Sequence, residues 1–170
     1  MKSLFITLVT LGALSTVSAQ VKECPYIPEE YSWETPEDYA RDSALVRRCL
    51  EWLCEADLRE EFQSRSNANA FVMIWLSNSP WIQLDINSDA LAFMPRNPDL
   101  FFVFTHGMAL HKMTHPTETG KIKLHAEGLK VVASLVKEND ALRKEDYLKP
   151  ILKASRSEKK LKKYVTALLD

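Results

Sequence analysis

Glycine is scarce in this chain, with four in 170 residues. There is no glycine-rich loop to wrap a phosphate and no Gly-x-Ser-x-Gly turn to present a serine nucleophile. No apolar stretch reaches the roughly 20 residues that a bilayer-spanning helix needs. Cysteine is limited to Cys24, Cys49 and Cys54, and no histidine stands in a sequence context that would make one of them a catalytic thiol. No carboxylate pair stands apart as acid and base, because pairs such as Glu60-Glu61 fall on exposed helix faces. No aromatic residue interleaves with the lysines near the C-terminus, so nothing there stacks on or reads bases, and specific nucleic-acid binding is not expected. A repeat of 20–50 residues is also missing.

What is present begins with an address. Met1-Lys2-Ser3 is followed by an apolar run over residues 4–14 and by Val17-Ser18-Ala19. A basic start, a short apolar middle and a small-residue end make a secretory signal peptide, with cleavage expected after Ala19. The mature chain would hold 151 residues from Gln20, a length that defaults to one domain. It would be secreted or periplasmic, with no membrane span once the signal is removed. Export permits disulfides. Cys49 and Cys54 lie five apart on one expected helix, about 140° and about 7.5 Å from each other, so they do not easily bridge. Cys24 should pair with one of them. A Cys24–Cys54 staple is the expected choice, because Cys54 lies near a helix end within easier reach of an arm; Cys49 is the alternative.

The periodicity predicts helices. Residues 20–34 carry Pro25, Tyr26, Pro28, Tyr31 and Trp33 and read as an extended arm packed on the surface. Thr35-Pro36-Glu37-Asp38 opens a first helix with a cap, a proline at the first position and acids in the first turn. Leu45, Val46, Cys49, Leu50, Trp52 and Leu53 form its apolar stripe. A second helix starts at Asp57 with Glu60 three residues later and becomes wholly apolar from Ala68 to Leu76 except at Asn69. A helix apolar all round belongs in a core, so this run is the expected centre. Residues 81–87 alternate apolar and polar and read as an extended segment without a strand to pair with. A short helix is expected over 89–94. Asn97-Pro98-Asp99 opens a further helix with the body 100–113, and another follows over 121–138; Gly107 and Gly128, each at mid-helix, are expected to face each other across this hairpin. A weaker helix over 145–154 and a last one from Ser157 complete the chain.

Charge is uneven. Residues 20–119 hold 8 Lys+Arg and 16 Asp+Glu, whereas residues 120–170 hold 13 and 7. Lys159, Lys160, Lys162 and Lys163 mark the wet face of the last helix, opposite Leu161, Tyr164, Val165 and Leu168. They suit either a solvated face or contact with an anionic surface. His111 and His115, at i and i+4, have a spacing that can hold a metal. Lys112 stands where a metalloprotease helix would place Glu, and a third ligand would have to come from Glu118, His125 or Glu127. Arg65 and Asn69, also i and i+4, are polar groups entering a core. They need partners there, either backbone or a bound ligand.

Asn67-Ala68-Asn69-Ala70-Phe71-Val72-Met73-Ile74-Trp75-Leu76, then Ser79-Pro80, then Asn97-Pro98-Asp99-Leu100, resembles a set of uncharacterised secreted all-helical proteins of Bacteroidetes-type bacteria over most of the mature chain. The resemblance implies export across an inner membrane and supplies no activity and no functional residues. The expected fold is an all-α domain over 35–170, with five to seven helices in antiparallel hairpins around the central apolar helix and one short extended segment. The expected function is that of an exported binding or scaffold module without a cofactor, whose concave or basic face meets a protein or an anionic surface partner. The competing class is a small metal-dependent hydrolase built on His111 and His115.

Overall fold

Helix formation follows the local signals closely in a computed structural model that describes residues 23–56, 58, 62–87, 91 and 93–170. The expected signal peptide, the cap pair Asp57 and Glu60, and half of the expected 89–94 helix lie outside the described residues. Thr35 starts α1 (Pro36–Glu55) with a complete capping box. Its hydroxyl accepts from the Asp38 amide at 3.3 Å, and the Asp38 carboxylate accepts from the Thr35 amide at 3.0 Å. A cap of this kind is worth about 1 kcal/mol. The predicted stripe of α1 is the buried one: Val46, Cys49, Leu50, Trp52 and Leu53 are enclosed and Leu45 is half-buried beside them.

The arm lies on α1 and α2 (Phe62–Asn78). Tyr31 and Trp33 stack at 4.9 Å, and both meet the Phe71 ring edge to face, at 5.0 and 5.3 Å. Trp33 Nε1 donates to Asp42 Oδ2 at 2.7 Å, which pins the arm to the first turns of α1. Tyr31 and Trp33 therefore serve packing, as their sequence context suggested, whereas Tyr26 is 81 % exposed.

The apolar run of α2 is covered on one side only. Ala68, Phe71, Val72, Trp75 and Leu76 are buried, whereas Ala70 is exposed and Ile74 is 46 % exposed. The helix enclosed most completely is α3 (Asp99–Thr114), in which every residue from Val103 to Ala109 is buried. It packs against α1 and, most extensively, against α4 (Lys121–Glu138). Two glycines permit that approach. A Cβ on Gly107 would stand 3.0 Å from the Gly128 Cα, and one on Gly128 would stand 2.7 Å from the Phe104 carbonyl oxygen. The two glycines face each other as the sequence predicts.

Buried apolar side chains form two clusters. One joins the arm, α1 and α2 and takes in Ala109 of α3. The other joins α3 and α4 to α6 (Lys149–Ala154) and α7 (Glu158–Leu169). Leu84, in the extended segment, touches both. Asn139 ends α4 and, in place of a plain break, caps a one-turn α5 (Asp140–Arg143), accepting from the Ala141 and Leu142 amides at 3.1 Å. The expected weak helix over 145–154 divides into a 3-10 turn, Asp146–Leu148, and α6, with Pro150 in the first turn of α6. Residues 93–96 form turns. In all, the described residues contain seven α-helices and no strand, an all-α fold.

Candidate functional site

Arg65 and Asn69, paired in sequence by helical spacing, line one cleft between α2 and α3. The cleft measures about 390 Å³ and is walled by Phe62, Ala70, Met73 and Phe102. Arg65 is only 6 % exposed. Its Nη1 donates to the Ala56 carbonyl at 2.8 Å and its Nη2 to the Leu53 carbonyl at 3.4 Å, and the guanidinium lies 6.0 Å from the Trp52 ring centre. These carbonyls end α1, whose own last turn carries no basic residue. A positive charge from α2 thus meets the negative end of α1 and satisfies orphan acceptors. Asn69, one turn on, has a buried Oδ1 without a hydrogen-bond partner among the described residues.

His106 sits behind this cleft and was not singled out by sequence. It is fully buried, its ring lies 6.5 Å from that of Phe102 at 27°, and neither ring nitrogen has a hydrogen-bond partner among the described residues. Burial, with a smaller contribution from the nearby Arg65 charge, pushes its pKa down to about 3. It is therefore a neutral imidazole at physiological pH. The available signal was its position in the apolar middle of α3, four residues after Phe102.

His111 and His115 do come together, but as a stack. Their ring centres are 4.3 Å apart at 17°. His115 Nδ1 lies 3.2 Å from the His111 carbonyl and 3.0 Å from Thr114 Oγ1. Burial lowers the pKa of His111, opposed by the Glu127 carboxylate. Each expected third ligand is engaged elsewhere. Glu127 pairs with Lys123 and Lys130, and Glu118 Oε1 accepts from the Gly120 amide. His125 Nδ1 donates to the Lys121 carbonyl while its Nε2 accepts from the Asn87 amide, which ties the extended segment to α4. Among the described residues no group of three or more His, Cys, Asp or Glu side chains is placed to hold a metal ion. Parallel stacked rings also fail to converge their lone pairs on one point, as a tetrahedral site requires. Lys112, where a metalloprotease would have Glu, is buried and donates to the carbonyls of Pro116 and Glu118, fastening the loop between α3 and α4.

Lys159, Lys160, Lys162 and Lys163 are all exposed on α7. At 100° per residue they occupy an arc of about 160°, opposite Leu161 and Val165, which are buried. Some other cations of the C-terminal third are paired, Lys123 with Glu127 and Glu158, Lys130 with Glu127, Arg143 with Asp140, and Lys149 with Asp146, whereas Lys137, Lys144, Lys153 and Arg156 are exposed and, like the lysines of α7, carry no ion pair among the described residues. The four lysines of α7 have no ion-pair partner among the described residues.

No protein-family profile, curated protein or solved structure matches this chain.

The expected Cys24–Cys54 staple is not formed, and none of the three cysteines is in a disulfide among the described residues. The course of the arm explains why. With Trp33 fixed beside Asp42, the arm runs back along the stripe of α1 that carries Cys49, and Cys24 packs against that cluster. Cys54 points to another side of α1, into a hollow shared with Ser134, Leu135 and Glu138 of α4. Burial pushes both the Cys49 and the Cys54 thiols up to about 12, and the Cys24 thiol adds to the rise at Cys49. Neither thiol is ionised near neutral pH, so neither is a nucleophile.

Proposed function

We propose that this chain is an exported, non-catalytic helical binding module that meets an anionic surface through the lysine face of α7. The supporting observation is the clustering of four exposed lysines, none in an ion pair among the described residues, on one face of α7. Four acids of the C-terminal third, Glu127, Asp140, Asp146 and Glu158, are engaged with cations elsewhere, while the α7 lysines are exposed without carboxylate partners among the described residues. Leu161 and Val165 are buried against the rest of the fold, so α7 has no apolar face free to insert into lipid. The contact would be electrostatic and peripheral. The basic start, apolar middle and Val17-Ser18-Ala19 end of the N-terminus support export, as does the resemblance to secreted helical proteins. Four lysines near an anionic membrane contribute about 1 kcal/mol each, enough for roughly a thousandfold enrichment.

Co-sedimentation with phosphatidylglycerol vesicles, against phosphatidylcholine vesicles, tests this reading. Binding should be confined to the anionic vesicles, fall steeply between 50 and 500 mM salt (about 14 to 4 Å of screening length), and vanish when Lys159, Lys160, Lys162 and Lys163 are all changed to Glu. Binding that survives those four substitutions, or that ignores salt, would sink it.

A further inference from the structure

We propose that the hollow bounded by α1, Trp81 and the C-terminal end of α3 binds a flat aromatic carboxylate. This goes beyond the basic-face reading and rests on different residues. The hollow measures about 450 Å³, within the ordinary range for small-molecule sites. One stripe of α1 forms part of its wall. Ala40, Ser43, Ala44 and Arg47 follow at i, i+3, i+4 and i+7, so they share a helix face, and the first three are too small to fill the space. Trp75 of α2 is also in the wall. It is 1 % exposed, yet its Nε1 is buried without a hydrogen-bond partner among the described residues. A buried donor ordinarily has an acceptor, and a ligand oxygen would supply one.

Charge and shape select the ligand. The two ionisable side chains of the wall, Arg47 and Lys112, are both basic, and none of the described residues that line it is acidic. Arg47 is exposed and its ion pair with Glu51 is long, at 3.8 Å, so its guanidinium keeps donors for a carboxylate. Lys112 is buried and donates to the Pro116 and Glu118 carbonyls. It makes no ion pair among the described residues, although buried charges are ordinarily paired. Asp85 and Glu118 line a second hollow, which shares Trp81 and Lys112. Both are engaged there, Asp85 with Lys121 and the Glu118 carboxylate with the Gly120 amide. Trp81 is 48 % exposed and meets the Tyr39 ring edge to face at 6.5 Å, which offers a supported indole surface for a flat ring to stack on. Ile82 and Met113 add apolar surface. An aromatic body carrying one carboxylate answers each of these features.

The probe is 2-naphthoate, with naphthalene-2-carboxamide as its neutral analogue and acetate as the charge without the body. An NMR titration of the 15N-labelled protein reads the side-chain indole signals of the four tryptophans. Naphthoate should shift those of Trp75 and Trp81 saturably and leave that of Trp33, whose Nε1 is held by Asp42. The carboxamide should bind more weakly by about tenfold or more, the equivalent of one lost charge-assisted hydrogen bond, and acetate likewise for want of apolar burial. Arg47→Gln should weaken naphthoate by about tenfold. Ala44→Phe, at an exposed position in the wall, should abolish binding while leaving the spectrum that of a folded protein. Four outcomes would overturn the proposal: equal binding of naphthoate and its carboxamide, shifts that do not saturate, a Trp75 indole signal that does not move, or naphthoate binding untouched by either variant. Neither variant alters α7, so failure here leaves the vesicle result standing, and the reverse.

Discussion

Gly128→Ala turns the closest helix contact of the fold into a measurable sign. In an open helix position this change stabilises, because alanine is favoured over glycine by about 1 kcal/mol. At Gly128 the added Cβ would lie 2.7 Å from the Phe104 carbonyl oxygen and 2.7 Å from Phe104 Cδ2. The ring can tilt, but the carbonyl belongs to the backbone of α3 and moves only with that helix. An ordinary carbon–oxygen contact is longer by about half an ångström, so α3 and α4 must separate along their whole interface, the most extensive in the molecule. Overpacking of this kind costs about 1–3 kcal/mol and occasionally more. Three contacts at 2.7–2.8 Å, one of them to backbone, put the cost in the upper part of that range, so after the propensity gain the net loss is about 1–2 kcal/mol, a fall of roughly 2–8 °C in Tm for a chain of this size. Urea unfolding followed by circular dichroism gives the value. Gly107→Ala should cost less, since its nearest neighbour is the movable Val131 Cγ2 at 2.8 Å, with the Gly128 Cα at 3.0 Å. The double variant should lose less than the sum, because helices already forced apart accommodate the second methyl. A neutral or stabilised Gly128→Ala, or a larger loss for Gly107→Ala, would refute the close-approach argument.

Two further outcomes follow from buried groups. Trp75→Ala should cost about 3–5 kcal/mol, whereas Trp75→Phe should cost much less, since the Trp75 Nε1 has no hydrogen-bond partner to lose among the described residues; equal losses by urea denaturation would mean that volume is not what the site uses. His106 makes stability depend on acid. Its folded pKa, about 3, lies below the unfolded value of 6.5, so the unfolded chain binds the extra proton, and the stabilisation present above pH 6.5 is lost as pH falls toward 3. The slope reaches about 1.4 kcal/mol per pH unit, and the burial-lowered His111 acts in the same direction. His106→Phe should flatten the decline in urea midpoint between pH 7 and 5; an unchanged decline would show that His106 is not its source.

Much of the helical layout was legible because its causes are local. The Thr35 cap, the stripe on α1, the pairing of Tyr31 with Trp33 in the arm and the Ser157 cap of α7 are set by residues within a few positions of one another, and the structure shows each. The facing of Gly107 and Gly128 was readable for a related reason: two small residues at mid-helix, joined by a short loop, leave few other arrangements. The candidate site was half legible. Helical spacing paired Arg65 with Asn69, yet nothing local announced that Arg65 serves the end of α1, that Phe102 closes the opposite wall, or that His106 lies behind both. The same limit affected the histidine pair, where i and i+4 spacing brought His111 and His115 together but ring orientation made a stack.

The sequence by itself determined that the chain is helical, where most helices begin, and which face of α1, α4 and α7 is apolar. Hydrogen bonding within four residues and a 3.6-residue period suffice for that. Only the tertiary structure decided which apolar helix is enclosed. Composition named the 68–76 run of α2, but α3 has the neighbours on more sides, and burial depends on what packs against a surface as well as on what the surface is made of. The tertiary structure likewise directed Cys24 toward Cys49 and away from Cys54, because the path of the arm is fixed by Trp33 and Asp42. It also left the α7 lysines without ion-pair partners among the described residues, since ion pairing depends on distances between segments far apart in the chain.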